Sequence, residues 1–127
     1  MVIDQDIETA VSKIYFKEEI LYIEFKKDSI VELSHINEII DERCEIQQGK
    51  KVLTLVDIRN LWQADKDARA KAATPEMIDH NIALAIISDS LPTRIIGNFY
   101  MKFNKPNVPT KMFDSEAEAL QWLRTFD

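Results

Sequence analysis

The stretch LVDIRNLWQADKDARA, residues 55–70, runs an apolar segment into one aspartate and then, a few residues on, opens a second segment with two more. Leu55, Val56 and Ile58 are residues of a buried strand. Asp65 and Asp67, placed just before ARAKAA, suit a helix N-terminus, where carboxylates accept unpaired N–H groups and meet the positive end of the helix dipole. A strand that feeds a helix at once, in a chain that repeats the pattern, is the unit of an α/β fold.

Working outward, KKVLTLVDI reads as a Val-, Leu- and Ile-rich strand, and NIALAIIS as a second, almost without polar interruption and so expected in the middle of a sheet covered on both faces. DKDARAKAAT between them is a short helix that closes at Thr74-Pro75, with Thr74 capping a further turn. SLPTRIIGNFYMKFN carries Leu91, Ile95, Phe99 and Phe103 at four-residue steps, with Ile96 and Tyr100 alongside, an unusually apolar helix. The prolines of KPNVPT end it, TKMF makes a brief last strand, and Ser115 with Glu118 forms a capping-box pattern at the start of SEAEALQWLRTF.

Toward the N-terminus the period changes to two. Residues alternate from Val11 to Lys17 and again from Ile20 to Lys26, where Leu21, Ile23 and Phe25 share one face, which predicts an antiparallel hairpin. Its turn, KEEI, lacks the Asn-Gly or Asp-Gly of a tight hairpin. LSHINEIIDERCEIQQG is a helix with Ile36, Ile39, Ile40 and Cys44 on one stripe, Ser34 as the expected N-cap and Gly49 at the exit. The predicted order is ββαβαβαβα: an α/β chain with a mixed, mainly parallel sheet, an N-terminal antiparallel hairpin and about four helices. At 127 residues it is expected to form one domain, residues 1–127.

The formal charge of −6 argues against general nucleic-acid binding, which draws its affinity from Lys and Arg on phosphates. The charge is unevenly spread: no acid lies between Asp89 and Asp114, where Arg94, Lys102, Lys105 and Lys111 all fall. Balance between two faces of the molecule explains this, and a docking patch for an acidic partner is the sharper alternative. No apolar run spans a bilayer, MVIDQDIETA opens acidic where a signal peptide is basic, and Cys44 has no partner for a disulfide, so a cytoplasmic location is expected. His35 and His80 are isolated, and no serine or cysteine nucleophile is tied to either; helix-end or surface positions are expected for both. Gly49 and Gly97 are the only glycines, which excludes a phosphate-cradling loop. Catalytic residues, metal ligands and cofactors are not expected. Cys44 and Trp122 are read as core residues, and Trp62 as either a lid or a ligand contact.

With that element order, LVDIRNL and the following acidic residue resemble the STAS domains, the family of anti-sigma factor antagonists and sulfate-transporter tails. In that family a strand ends in an aspartate and an Asp-Ser-Ser-Gly-like motif opens a helix roughly eight residues later; Asp57 and Asp65 occupy those two places. IISDSLPTRIIGNFYMKFNKP and MFDSEAEALQWL look like an uncharacterised bacterial branch described as STAS-like or SpoIIAA-like. The resemblance implies the fold and a regulatory role through protein contacts. Asp65-Lys66-Asp67-Ala68 departs from the motif: the phosphoacceptor hydroxyl is absent, so partner switching by a kinase does not carry over. Asp67 stands where a phosphoserine would bring more charge and three acceptor oxygens.

Two candidate surfaces follow. One is the strand tip and helix mouth, Asp57, Arg59, Asn60, Trp62, Asp65, Asp67 and Arg69, as a protein-recognition edge; the plainer alternative is that Asp57 fixes the loop, the later aspartates cap the helix and nothing binds. The other is an apolar groove of Leu91, Ile95, Phe99 and Phe103 against the sheet, able to carry a small apolar ligand as Sec14-type lipid carriers do. An open hairpin edge or the same helix would also support a homodimer.

Overall fold

The structure, a computed structural model, describes residues 6–127; residues 1–5 of the acidic opening noted above fall outside the described residues. Period-two alternation makes β2 (Ser12–Lys17) and β3 (Ile20–Phe25) an antiparallel hairpin in register Ile14↔Ile23. Glu18 and Glu19 turn it with φ of 51° and 68°, the left-handed pair that Asn-Gly usually supplies. A two-residue strand β1 (Ile7–Glu8) pairs on the outside of β2. The parallel strands β5 (Val52–Asp57), β7 (Asn81–Ile87) and β8 (Thr110–Phe113) extend the sheet from β3, in the order β1-β2-β3-β5-β7-β8.

Because strand side chains alternate, the sheet has two apolar faces, and each is covered. Leu21, Ile23, Leu84 and Ile86 meet Ile36, Ile39 and Ile40 of α1 (Leu33–Gln47), Ala68 of α2 (Lys66–Ala72) and Met77 and Ile78 of α3 (Pro75–Ile78). On the same side runs α4 (Leu91–Phe99), continued by a π-helical turn, Tyr100–Asn104. The other face, Ile20, Tyr22, Leu53, Leu55, Ala85 and Ile87, is covered by Ala119 and Leu123 of α5 (Glu116–Arg124), whose Ser115 Oγ caps the Glu118 N–H as expected.

Three details depart from the expectations. A second, two-stranded parallel sheet joins β4 (Ser29–Val31) to β6 (Leu61–Ala64), so Trp62 lies on a strand and not in a loop. The N-cap of α1 is Glu32, not Ser34, in a capping box where His35 Nδ1 accepts the Glu32 N–H at 3.0 Å. On α1 the buried stripe runs through Arg43 and Gln47, and Cys44 is exposed, its Sγ 3.2 Å from His80 Nε2. Ile36, Ile39 and Ile40 are buried as expected; Cys44 alone lies off the stripe, where Arg43 takes the inward place.

Candidate functional site

The β4–β6 ribbon ties two helix mouths together. Asp28 N–H donates to Asn60 O at 2.9 Å and Asp65 N–H to Val31 O at 3.0 Å, so α1 and α2 begin side by side beyond the tips of β3 and β5. This is the carboxyl edge of the parallel strands, where open α/β sheets bind their ligands.

Asp57, at the end of β5, is buried and committed to Arg59. Its Oδ1 accepts from Arg59 N–H and Nε at 3.0 Å each, and its Oδ2 from Nη2 at 2.7 Å. The same hydrogen bonds raise the Arg59 pKa. Asp57 therefore shapes the loop and presents Arg59 outward, with Asn60 exposed beside it. Asp65 is the cap of α2, its Oδ1 accepting the Ala68 N–H at 2.8 Å. Asp67 points to solvent from the first turn. Asp57 thus fixes the loop and Asp65 caps the helix, and the exposed members of the edge are Arg59, Asn60, Trp62 and Asp67. Arg69 is half-buried; its guanidinium donates from Nη1 to Ala64 O and lies 4.7 Å over the Phe99 ring.

That contact joins the edge to α4, but α4 is turned opposite to the expected groove. Leu91, Ile95, Phe99 and Phe103 are 67, 57, 43 and 61 % exposed and line the outside of the helix. The cause is steric. Thr93 and Gly97 face the sheet, and at Gly97 an added Cβ would come within 2.6 Å of Met112 Sδ. Small residues bring the backbone close, Thr93 Oγ1 hydrogen-bonds Ser88 and Ser90 hydroxyls at 2.7 and 2.9 Å, and the large side chains are left outside. Phe99 and Phe103 stack on each other with centroids 4.4 Å apart. Trp62, 68 % exposed on β6, the ribbon strand packed on α4, is not a lid over the core.

The interior holds something the sequence did not announce. Between the sheet and the helices α1, α2 and α4 lies a cavity of about 100 Å³ with almost wholly hydrocarbon walls. Arg43, 1 % exposed, reaches it from α1. Arg43 Nε donates to Gln47 Oε1 at 2.7 Å, and Nη2 to Thr54 Oγ1 at 3.0 Å and Asn81 Oδ1 at 2.8 Å. Burial draws its pKa down to about 9, which leaves the guanidinium charged at neutral pH. His80, half-buried near this cation, has its pKa lowered by desolvation first and by Arg43 second. A hydropathy pattern counts arginine as surface, so only the neighbouring polar residues Thr54 and Asn81, each beginning or interrupting an apolar strand, hinted at a buried partner.

Among known proteins, residues 14–127 match the family model described as Domain of unknown function (DUF7793). No curated protein matches. Among solved structures, an uncharacterized protein from the DUF3478 family with a SpoIIAA-like fold, from Shewanella loihica PV-4, superposes with a TM-score of 0.63 at 17% identity, over 88% of this chain and 91% of that one. The anti-sigma factor antagonist SpoIIAA in its unphosphorylated form superposes with a TM-score of 0.55 at 12% identity, over 89% of this chain and 97% of that one. The fold is thus SpoIIAA-like, as the element order and the Asp57–Asp65 spacing implied. No helix among the described residues is long and apolar enough to cross a membrane.

Proposed function

The chain belongs to the DUF7793 family of domains of unknown function, and from that premise and its SpoIIAA-like fold we propose that it is a non-catalytic, cytoplasmic protein-interaction module. Its docking face is the outer stripe of α4, Leu91, Ile95, Phe99 and Phe103, continued through Arg69 to Trp62, Asp67, Asn60 and Arg59.

The observation that carries this reading is the outward stripe. Four large apolar side chains at successive turns, with a tryptophan on the strand packed against their helix, form a run of exposed apolar residues, the kind of surface that marks an interaction site. Aromatic residues and arginine, which dominate contact energies, are concentrated there. Lys102 and Lys105 close one end of the stripe in a segment without acids, which favours a partner with an apolar face and acidic margins. That a solved structure of this fold is named an anti-sigma factor antagonist supports a role exercised on another protein. The residues singled out here supply charge and shape; recognition, and not turnover, is what they are suited to.

The test is quantitative capture by the purified chain and by Trp62→Ala, Asp67→Ala and Ile95→Glu, each checked for unchanged thermal stability. Partner recovery should fall at least tenfold for Ile95→Glu and Trp62→Ala. Undiminished recovery by both would refute the face. Light scattering run in parallel tells whether the partner is a second copy: a mass that doubles with concentration in the wild type and not in Ile95→Glu identifies a homodimer.

A further inference from the structure

Among the described residues, Arg43 is a cation with no anion. Its hydrogen-bond partners Gln47, Thr54 and Asn81 are all neutral, and its Nη1 faces only the Met77 thioether, at 3.7 Å, a weak acceptor for a charged donor. Among the described residues no aspartate or glutamate lines the adjoining cavity. Arg69 borders the same space, and its Nε is buried without a hydrogen-bond partner among the described residues. Buried charges are ordinarily paired, and one left unpaired is a standing electrostatic cost that an incoming anion would relieve.

The remaining walls are hydrocarbon: Ile23, Val56 and Ile86 from the sheet, Ala68 and Ala72 from α2. At about 100 Å³ the space is somewhat smaller than the roughly 150 Å³ of an apolar cavity that admits benzene. Met77 has three rotatable bonds and can withdraw its sulfur from Nη1 without moving the backbone.

We propose that this cavity binds a small apolar monocarboxylic acid, of about four carbons by comparison with the larger cavity that admits benzene, its carboxylate on Arg43 Nη1 in place of the Met77 sulfur and its hydrocarbon between the sheet and α2. The carboxylate makes charge-assisted hydrogen bonds while Nε and Nη2 keep their present partners. A neutral molecule of the same shape fills the space but leaves the charge unanswered, and a long acyl chain exceeds it. The site lies beneath α2 and α4 and shares only Arg69 with the protein contact proposed for the outer face of α4.

Butanoate and butan-1-ol, titrated into the full chain at neutral pH and followed by calorimetry and by the methyl and amide resonances of Met77, Thr54 and Asn81, separate charge recognition from cavity filling. Butanoate should bind at least tenfold more tightly, a difference of about 1.4 kcal/mol, and move those resonances. Arg43→Met, which keeps the bulk and removes the charge, should abolish the preference for the acid. Because that variant leaves Gln47 Oε1 without the Arg43 donor and its folding is at stake, Ala72→Leu serves as the second arm: it fills the cavity with Arg43 intact and should eliminate binding of both probes. Equal affinities for acid and alcohol in the wild type, no saturable butanoate binding, or butanoate binding retained by Ala72→Leu would each overturn the proposal.

Discussion

Glu18 and Glu19 hold left-handed dihedrals, φ 51° and 68°, at the tip of the hairpin, where a Cβ is penalised and glycine is not. The exposed ion pair of Glu18 with Arg124, at 3.5 Å, returns little. Glu18→Asn with Glu19→Gly is expected to stabilise the chain by about 1 kcal/mol and to raise the melting temperature by a few degrees in a calorimetric scan. The two aspartates of α2 should separate in the same assay. Asp65→Ala removes a cap and should cost about 1 kcal/mol, whereas Asp67→Ala should stay within about 0.5 kcal/mol, because Asp67 lies exposed and the cap is Asp65. The spacing of the two carboxylates was legible in the sequence; that Asp57 would be turned inward onto Arg59 was not, since two residues of loop decide it.

Among the elements, α4 shows how a correct helix can be assigned the wrong side. Its four-residue apolar repeat is real, but Thr93 and Gly97 are the residues that permit close approach to β8, and packing distance prevailed over hydrophobicity. Ile95→Glu should therefore change unfolding free energy by less than about 0.5 kcal/mol, against about 2–5 kcal/mol for Ile39→Ala in the core, both read by denaturant titration. Gly97→Val should cost more than Ile95→Glu, because its side chain meets Met112 at 2.6 Å from the first carbon. The long elements announced themselves, α1 and α4 by helical period and β5 and β7 by apolar runs of six or more residues. The ribbon of β4 and β6 did not, being three and four residues paired with each other across thirty-odd positions of chain, a contact without a local signal.

At the scale of the whole molecule, three phenols set the alkaline limit. Tyr22, buried and near Glu116, has its pKa raised from 10.0 to about 12, by burial first. Tyr15, stacked on Tyr22 at 5.0 Å, and Tyr100, whose hydroxyl donates to Ala72 O at 2.9 Å, are raised further, again by burial first. Between pH 10 and pH 12 the folded chain holds protons that the unfolded chain releases, so stability falls as pH rises, by up to about 1.4 kcal/mol per pH unit for each of the buried Tyr22 and Tyr100 and by less for the half-buried Tyr15, which solvent screens. Arg43, lowered to about 9, works in the opposite sense but is one group against three. The ultraviolet phenolate signal should therefore appear together with loss of ellipticity; phenolates forming near pH 10 in a chain that keeps its ellipticity would contradict this.

The two faces of the sheet give the molecule two sides, α5 on one and the α2–α4 layer with Trp62 on the other, and among the described residues only the second leaves a run of large apolar residues uncovered. Site-specific photocrosslinking in the native host tests the docking face most directly. A photoreactive residue at position 95 or 62 should yield a discrete adduct with one partner, and the same residue at position 121, exposed on α5, should yield none. Adducts from position 121 alone, or from no position, would contradict recognition through the outer face of α4.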